Sequence, residues 1–145
     1  MPASKTEQML DALKMLLETV PGPSVERNSV LPEKIPDGGL IILRDGDPGE
    51  PEQALGGLGN VYYQHTVEIE VYVEEGDAVA RDAAYDALLQ QIGATLEADP
   101  TVGGLAFGLT YGRPEPAIEA IAGAPAIKNA TLSVIVDYET DAALA

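Results

Sequence analysis

From Val61 to Val73 the chain alternates between two faces without interruption. Val61, Tyr63, His65, Val67, Ile69, Val71 and Val73 fall on one side, and Tyr62, Gln64, Thr66, Glu68, Glu70 and Tyr72 on the other. A period of two predicts a strand with one core-facing and one wet, acidic face. Its β-branched and aromatic residues suit a pleated, half-buried surface. At roughly 3.3 Å per residue it would run about 40 Å, so it is expected to bend or to project at one end. A second strand follows from Ala130, Leu132, Val134, Val136 and Tyr138, which alternate with Thr131, Ser133, Asp137 and Glu139; Ile135 breaks the pattern.

Two segments carry the helical period instead. Met9, Leu10, Leu13, Leu16, Leu17 and Val20 recur at three- and four-residue spacing and predict a helix over Thr6–Thr19. Ser4 is its expected N-cap, with Glu7 completing a capping box, and Pro21-Gly22-Pro23 stops it. Ala78–Ala98 is the second helix, with Tyr85, Leu88, Leu89, Ile92 and Leu96 on one stripe and Asp99-Pro100 at its end.

Shorter runs complete the pattern. Val25–Val30, Leu40–Leu43, Gly103–Tyr111 and Ala117–Ile121 are candidate strands, the last flanked by Pro114, Pro116 and Pro125 and hence expected as an edge strand or a bent connection. Between Asp45 and Asn60 lie five glycines, two prolines and four acids, a composition that predicts a long flexible loop. Thr140–Ala145 reads as a frayed tail. Strands and helices segregate instead of alternating, which predicts an α+β fold: a mainly antiparallel sheet with two helices packed on one face. The length fits a single domain over residues 1–145.

Composition narrows the function classes. An apolar fraction of 46% and mean hydropathy of +0.02 describe a folding chain. There is no cysteine, so disulfides and thiolate metal sites are excluded. MPASKTEQML lacks the basic flank and apolar run of a signal peptide, and no apolar run reaches membrane-span length. The expectation is a soluble, intracellular protein without membrane contact. The formal charge of −16, with only eight basic residues, is the most unusual bulk property. Such a surface repels phosphate backbones, because nucleic-acid affinity comes largely from Lys and Arg.

Catalytic signals are sparse. The single histidine, His65, falls mid-strand on the core face and reads as a packed ring with a satisfied nitrogen, not a general base. Gly56-Gly57-Leu58-Gly59-Asn60 precedes a strand and lacks a lysine, so it is no phosphate cradle. Asp45-Gly46-Asp47, with Glu50 and Glu52, offers oxygens but not the ligand spacing of a calcium loop, and turn chemistry accounts for it. Glu68 and Glu70 share one strand face and read as a solvated or subunit-facing surface. No enzyme activity, cofactor or metal is expected.

Several segments, in order, resemble the tail terminator (tail completion) family of long-tailed bacteriophages and gene transfer agents. They are Val25-Glu26-Arg27-Asn28, Leu31-Pro32-Glu33-Lys34-Ile35-Pro36, Gly39 to Pro51, His65 to Val73, Ala80 to Leu89, and Ala126-Ile127-Lys128. The resemblance covers roughly residues 7 to 140 and rests on turns and strands. It implies a structural virion protein of the tail or neck, assembled in the bacterial host cytoplasm. Such a protein forms a homo-hexameric ring on the tail tube protein, stops tube polymerisation and joins the head–tail connector, or stopper. DNA would pass through the lumen without specific binding. The residues assigned here to tube contact or to a negative lumen are Asp45, Asp47, Glu50, Glu52, Glu68 and Glu70, with the 45–60 loop reaching the tube. The alternatives are a neck or head-completion protein of the same particle and a small non-viral α+β binding module.

Overall fold

The computed structural model describes residues 2–53, 59–120 and 122–145. Among these the chain forms two helices and a seven-stranded sheet. Helix α1 (Lys5–Leu17) leads to β1 (Ser24–Arg27), β2 (Leu40–Asp47), β3 (Glu52–Gln53) and β4 (Val61–Glu74). Helix α2 (Ala78–Ala98), β5 (Gly108–Tyr111), β6 (Ala117–Glu119) and β7 (Ile127–Thr140) complete it.

The two long strands are the axis of the sheet. β4 and β7 pair antiparallel in unbroken register from Val61↔Thr140 to Glu74↔Ile127. The strand order is β1-β2-β4-β7-β5, with β3 on β4 and β6 on β7. Neither end of β4 projects unpaired. Every strand pair is antiparallel except β1–β2, which is parallel. The fold is therefore α+β with a mainly antiparallel sheet.

Both helices lie on the face that the alternation marks as apolar. Met9, Leu10, Leu13 and Leu17 of α1 and Tyr85, Leu88, Ile92 and Leu96 of α2 are buried against Ile41, Leu43, Val67, Ile69, Val71, Leu132, Val134 and Val136. Burying such side chains is worth about 1.5–3 kcal/mol each, which is the main term holding helices to sheet. Ser4 caps α1 by accepting the Glu7 N–H at 3.1 Å. The reciprocal half of the expected capping box does not form, because the Glu7 carboxylate accepts from Arg27 instead. Asp77 caps α2, accepting from the Ala80 N–H at 2.9 Å.

The opposite sheet face is covered at one end only. There Ile35, carried by the segment before β2, packs on Leu40, Ile42 and Ile127, with Tyr72 alongside. This second small core explains why β2 begins with residues buried on both faces.

The span 45–60 departs from the expected loop. Asp45 to Asp47 extend β2, and Glu52–Gln53 pair with Tyr62 and Val61 as β3. Residues 54–58 of that span lie outside the described residues. Gly46 makes the extension possible. The register shifts between Arg44 and Asp47, Gly46 has φ +71°, and a Cβ there would collide with the Thr66 carbonyl oxygen. The candidate strand at Ala117–Ile121 is Ala117–Glu119, and Ile121 lies outside the described residues. The tail expected to fray is tied down instead. Thr140 is buried, Tyr63 donates to the Ala143 carbonyl at 2.8 Å, and the Lys5 N–H donates to the Ala145 carbonyl.

Candidate functional site: the uncovered sheet face

Beyond the Ile35 cap, the even residues of β4 and the odd residues of β7 face outward. Cross-strand neighbours on this face are Glu70 and Thr131, Glu68 and Ser133, Thr66 and Ile135, Gln64 and Asp137, and Tyr62 and Glu139. Among the described residues no helix covers them. Alternation along two strands paired over 14 residues each produces a long, ordered, acidic surface.

The charges on it are held in place. Arg44 of β2 donates through Nε and Nη2 to the Glu70 carboxylate at 3.1 and 3.3 Å, and the Tyr72 hydroxyl donates to Glu70 at 2.8 Å. Ser133 donates to Glu68 at 2.9 Å. Burial, with the Glu70 carboxylate beside it, pushes the Tyr72 hydroxyl up to about 12.

The six acidic residues singled out in the sequence do not converge. Glu68 and Glu70 lie mid-face. Asp47 and Glu50 are exposed beyond the bulge, where Asp47 accepts the Gly49 N–H at 2.9 Å in a local turn. Glu52 sits on β3 opposite Tyr62. Asp45 belongs to the helix side. Arg27 of β1 donates to its two oxygens at 2.8 and 3.1 Å, and to both oxygens of Glu7 on α1 at 2.7 and 2.8 Å. The guanidinium holds both carboxyls below the usual carboxylate range. Asp45 is thus part of a clamp between β1, β2 and α1. Among the described residues no group of three or more His, Asp or Glu side chains is arranged to hold a metal ion.

His65 lies where the alternation puts it, on the core face and buried. The Tyr138 hydroxyl lies 2.9 Å from Nδ1, and Nε2 contacts the Asp45 carbonyl. A carbonyl only accepts, so Nε2 carries the proton and Nδ1 accepts from Tyr138. Thr6 of α1 in turn lies 2.9 Å from the same hydroxyl and donates to it. The chain Thr6–Tyr138–His65–Asp45 ties α1, β7, β4 and β2 together with each partner satisfied.

The sequence reading missed an aromatic notch at the β3 end of the face. Tyr62 and Phe107 stack there with ring centroids 6.3 Å apart, in a hollow of about 210 Å³ that Glu52, Gln64 and Asp137 also line. The available signal was Tyr62 on the wet side of the alternation. The position of Phe107 depends on β5 docking on β7, which no local pattern encodes. A larger cleft of about 460 Å³ runs between α2 and the end of β5, bordered by Leu89, Gly93, Tyr111 and Arg113.

No family model matches the chain, and no curated protein matches it. Among solved structures it is similar to a chain in the virion of a native gene transfer agent particle. The likeness covers 91% of this chain and 91% of that one, at 14% identity and a TM-score of 0.35. A likeness of that size carries no weight for fold or function.

Proposed function

We propose that this chain is a structural subunit of a phage-type tail: a tail terminator that closes into a hexameric ring, ends tube polymerisation and joins the tube to the head connector. The observation that supports it is the uncovered sheet face. A wall of paired strands, with its carboxylates held by Arg44 and Ser133 and with Tyr62, Ile135 and Phe107 exposed, suits a rigid docking surface between protein layers. The segment-by-segment resemblance to tail terminators is consistent with it. The reading assigns the chain no catalytic step and no cofactor.

A head-to-tail interface closes when its rotation divides the circle, leaving one rim for the tube and one for the connector. Of the acidic residues, Asp47 and Glu50 are exposed beyond the bulge, are not in the ion pairs found among the described residues and would face the DNA path, while Glu52 and Glu68 belong to the docking face. Asp45 and Glu70, engaged by Arg27 and Arg44, would hold the strand end instead. A chain of net charge −16 gives passing phosphates no purchase.

Cryo-electron microscopy of the particle carrying this chain tests the role. A six-fold ring of this chain between tube and connector is the expected result; absence from the particle overturns it. Deletion of residues 47–57 should leave subunits that assemble but tails of uncontrolled length. Normal tail length from that variant would remove the loop from tube contact.

A further inference from the structure

The notch at the β3 end has a chemistry that a DNA-repelling or merely solvated surface does not require. Phe107, the only phenylalanine in the chain, is 63% exposed and stacked on Tyr62. Tyr62 is flanked across the ladder by Glu52 on one side and Glu139 on the other. Glu139 is engaged by the Asn60 side chain at 2.9 Å, which leaves Glu52 and Asp137. Asp137 is half-buried and lines the hollow, and it is in none of the ion pairs found among the described residues. None of the basic side chains lines the notch. Arg27, Arg44, Lys14 and Lys128 are committed to ion pairs elsewhere.

We propose that this notch binds a guanidinium group: the side chain of an arginine presented by a partner protein with a basic surface. Aromatic faces attract a cation through their quadrupole. A guanidinium can stack on a ring while its N–H fork meets a carboxylate, and it is more weakly hydrated than an ammonium. Glu52 and Asp137, which both line the hollow, supply the carboxylates for that fork. The hollow of about 210 Å³ takes the head of a side chain and not a folded segment. The overall charge of −16 steers a basic surface toward it. This inference does not depend on the proposed virion role, because it concerns the chemistry of the contact.

The test is an NMR titration of the full chain, following the Tyr62 and Phe107 rings, with N-acetyl-arginine amide and N-acetyl-lysine amide as probes. Arginine should half-saturate those rings at a concentration about fivefold or more below lysine. Phe107→Ala and Asp137→Asn should each abolish that preference while the remaining spectrum stays folded, since Phe107 is largely in solvent and the amide keeps the shape of the carboxyl. Equal responses to the two probes, or shifts spread over all acidic residues and unchanged in the variants, would overturn the proposal. A dilution series without probe covers a second copy as occupant. Concentration-dependent ring shifts that vanish in Arg113→Gln would show that the chain fills its own notch, and would overturn the separate partner.

Discussion

Replacing Arg27 with methionine removes a clamp while keeping most of the stem that packs beside β2. The guanidinium engages four carboxylate oxygens, two on Glu7 and two on Asp45. Charge-assisted bonds of this kind contribute about 1.5–3 kcal/mol where water is excluded. Here only the arginine is well shielded, at 17% side-chain exposure, against 50% for Glu7 and 43% for Asp45. Screening at exposed carboxylates lowers each pair to about 0.5–1 kcal/mol. The expected loss is therefore about 1–2 kcal/mol at neutral pH and low salt, or roughly 3–8 °C in Tm. The variant also leaves Glu7 and Asp45 facing each other without a cation between them.

The effect has a defined pH signature. Arg27 depresses both carboxyl pKa values in the folded state, so in the acid range the unfolded chain binds more protons than the folded one. The stabilisation is complete above the ordinary carboxylate range of about 4 and is lost as pH falls through the depressed folded values. Urea unfolding of both proteins should show the gap at pH 7, a smaller gap near pH 3, and a smaller gap again at 1 M salt. Equal midpoints at pH 7 would refute the clamp, and a gap undiminished in acid would refute its electrostatic origin.

Four further outcomes are expected. Gly46→Ala should destabilise by about 3 kcal/mol or more, because it combines a positive φ with a collision against the Thr66 carbonyl; thermal unfolding measures it. Tyr138→Phe strips the partner from both His65 Nδ1 and Thr6 Oγ1 and should cost about 1–3 kcal/mol by denaturant unfolding. Ile69→Ala, at a fully buried position in the main core, should cost about 2–5 kcal/mol in the same assay. Burial raises the Tyr85 and Tyr138 hydroxyls and pushes those of Tyr72 and Tyr111 up to about 12, so ultraviolet titration should find four of the six tyrosines late. The contribution of Tyr72 and Tyr111 to stability is full below the unfolded tyrosine value of about 10 and fades as pH climbs through 12.

The long strands were legible because their alternation persists over the whole element, and α2 because its apolar stripe and the Asp99-Pro100 stop agree. The extension of β2 through Asp47 was not. Its local composition favours turns, and the strand exists because β4 supplies a partner ladder and Gly46 absorbs the extra residue. The parallel seating of β1 was hidden for a related reason, since nothing in Val25 or Arg27 indicates which strand they will join or in which direction. Parity along β4 correctly put Glu68 and Glu70 on the outer face. It could not reveal that Asp45 would be claimed by an arginine 18 residues earlier, on the helix side.

The pairing of β4 with β7 has a consequence for how the fold is reached. The two strands that make the longest ladder are separated by α2, β5 and β6, so they cannot zip from a local turn. A large loop must close before the ladder returns any energy, which places the molecule among slow, high-contact-order folders. Until β7 arrives, β4 offers a bare edge of alternating valine, isoleucine and tyrosine, the type of segment that recruits strands from other chains. Glu68 and Glu70 interrupt that edge, and Glu74 and Glu75 close it. The same carboxylates that line the finished face would then keep the nascent chain from aggregating while it waits for its partner strand.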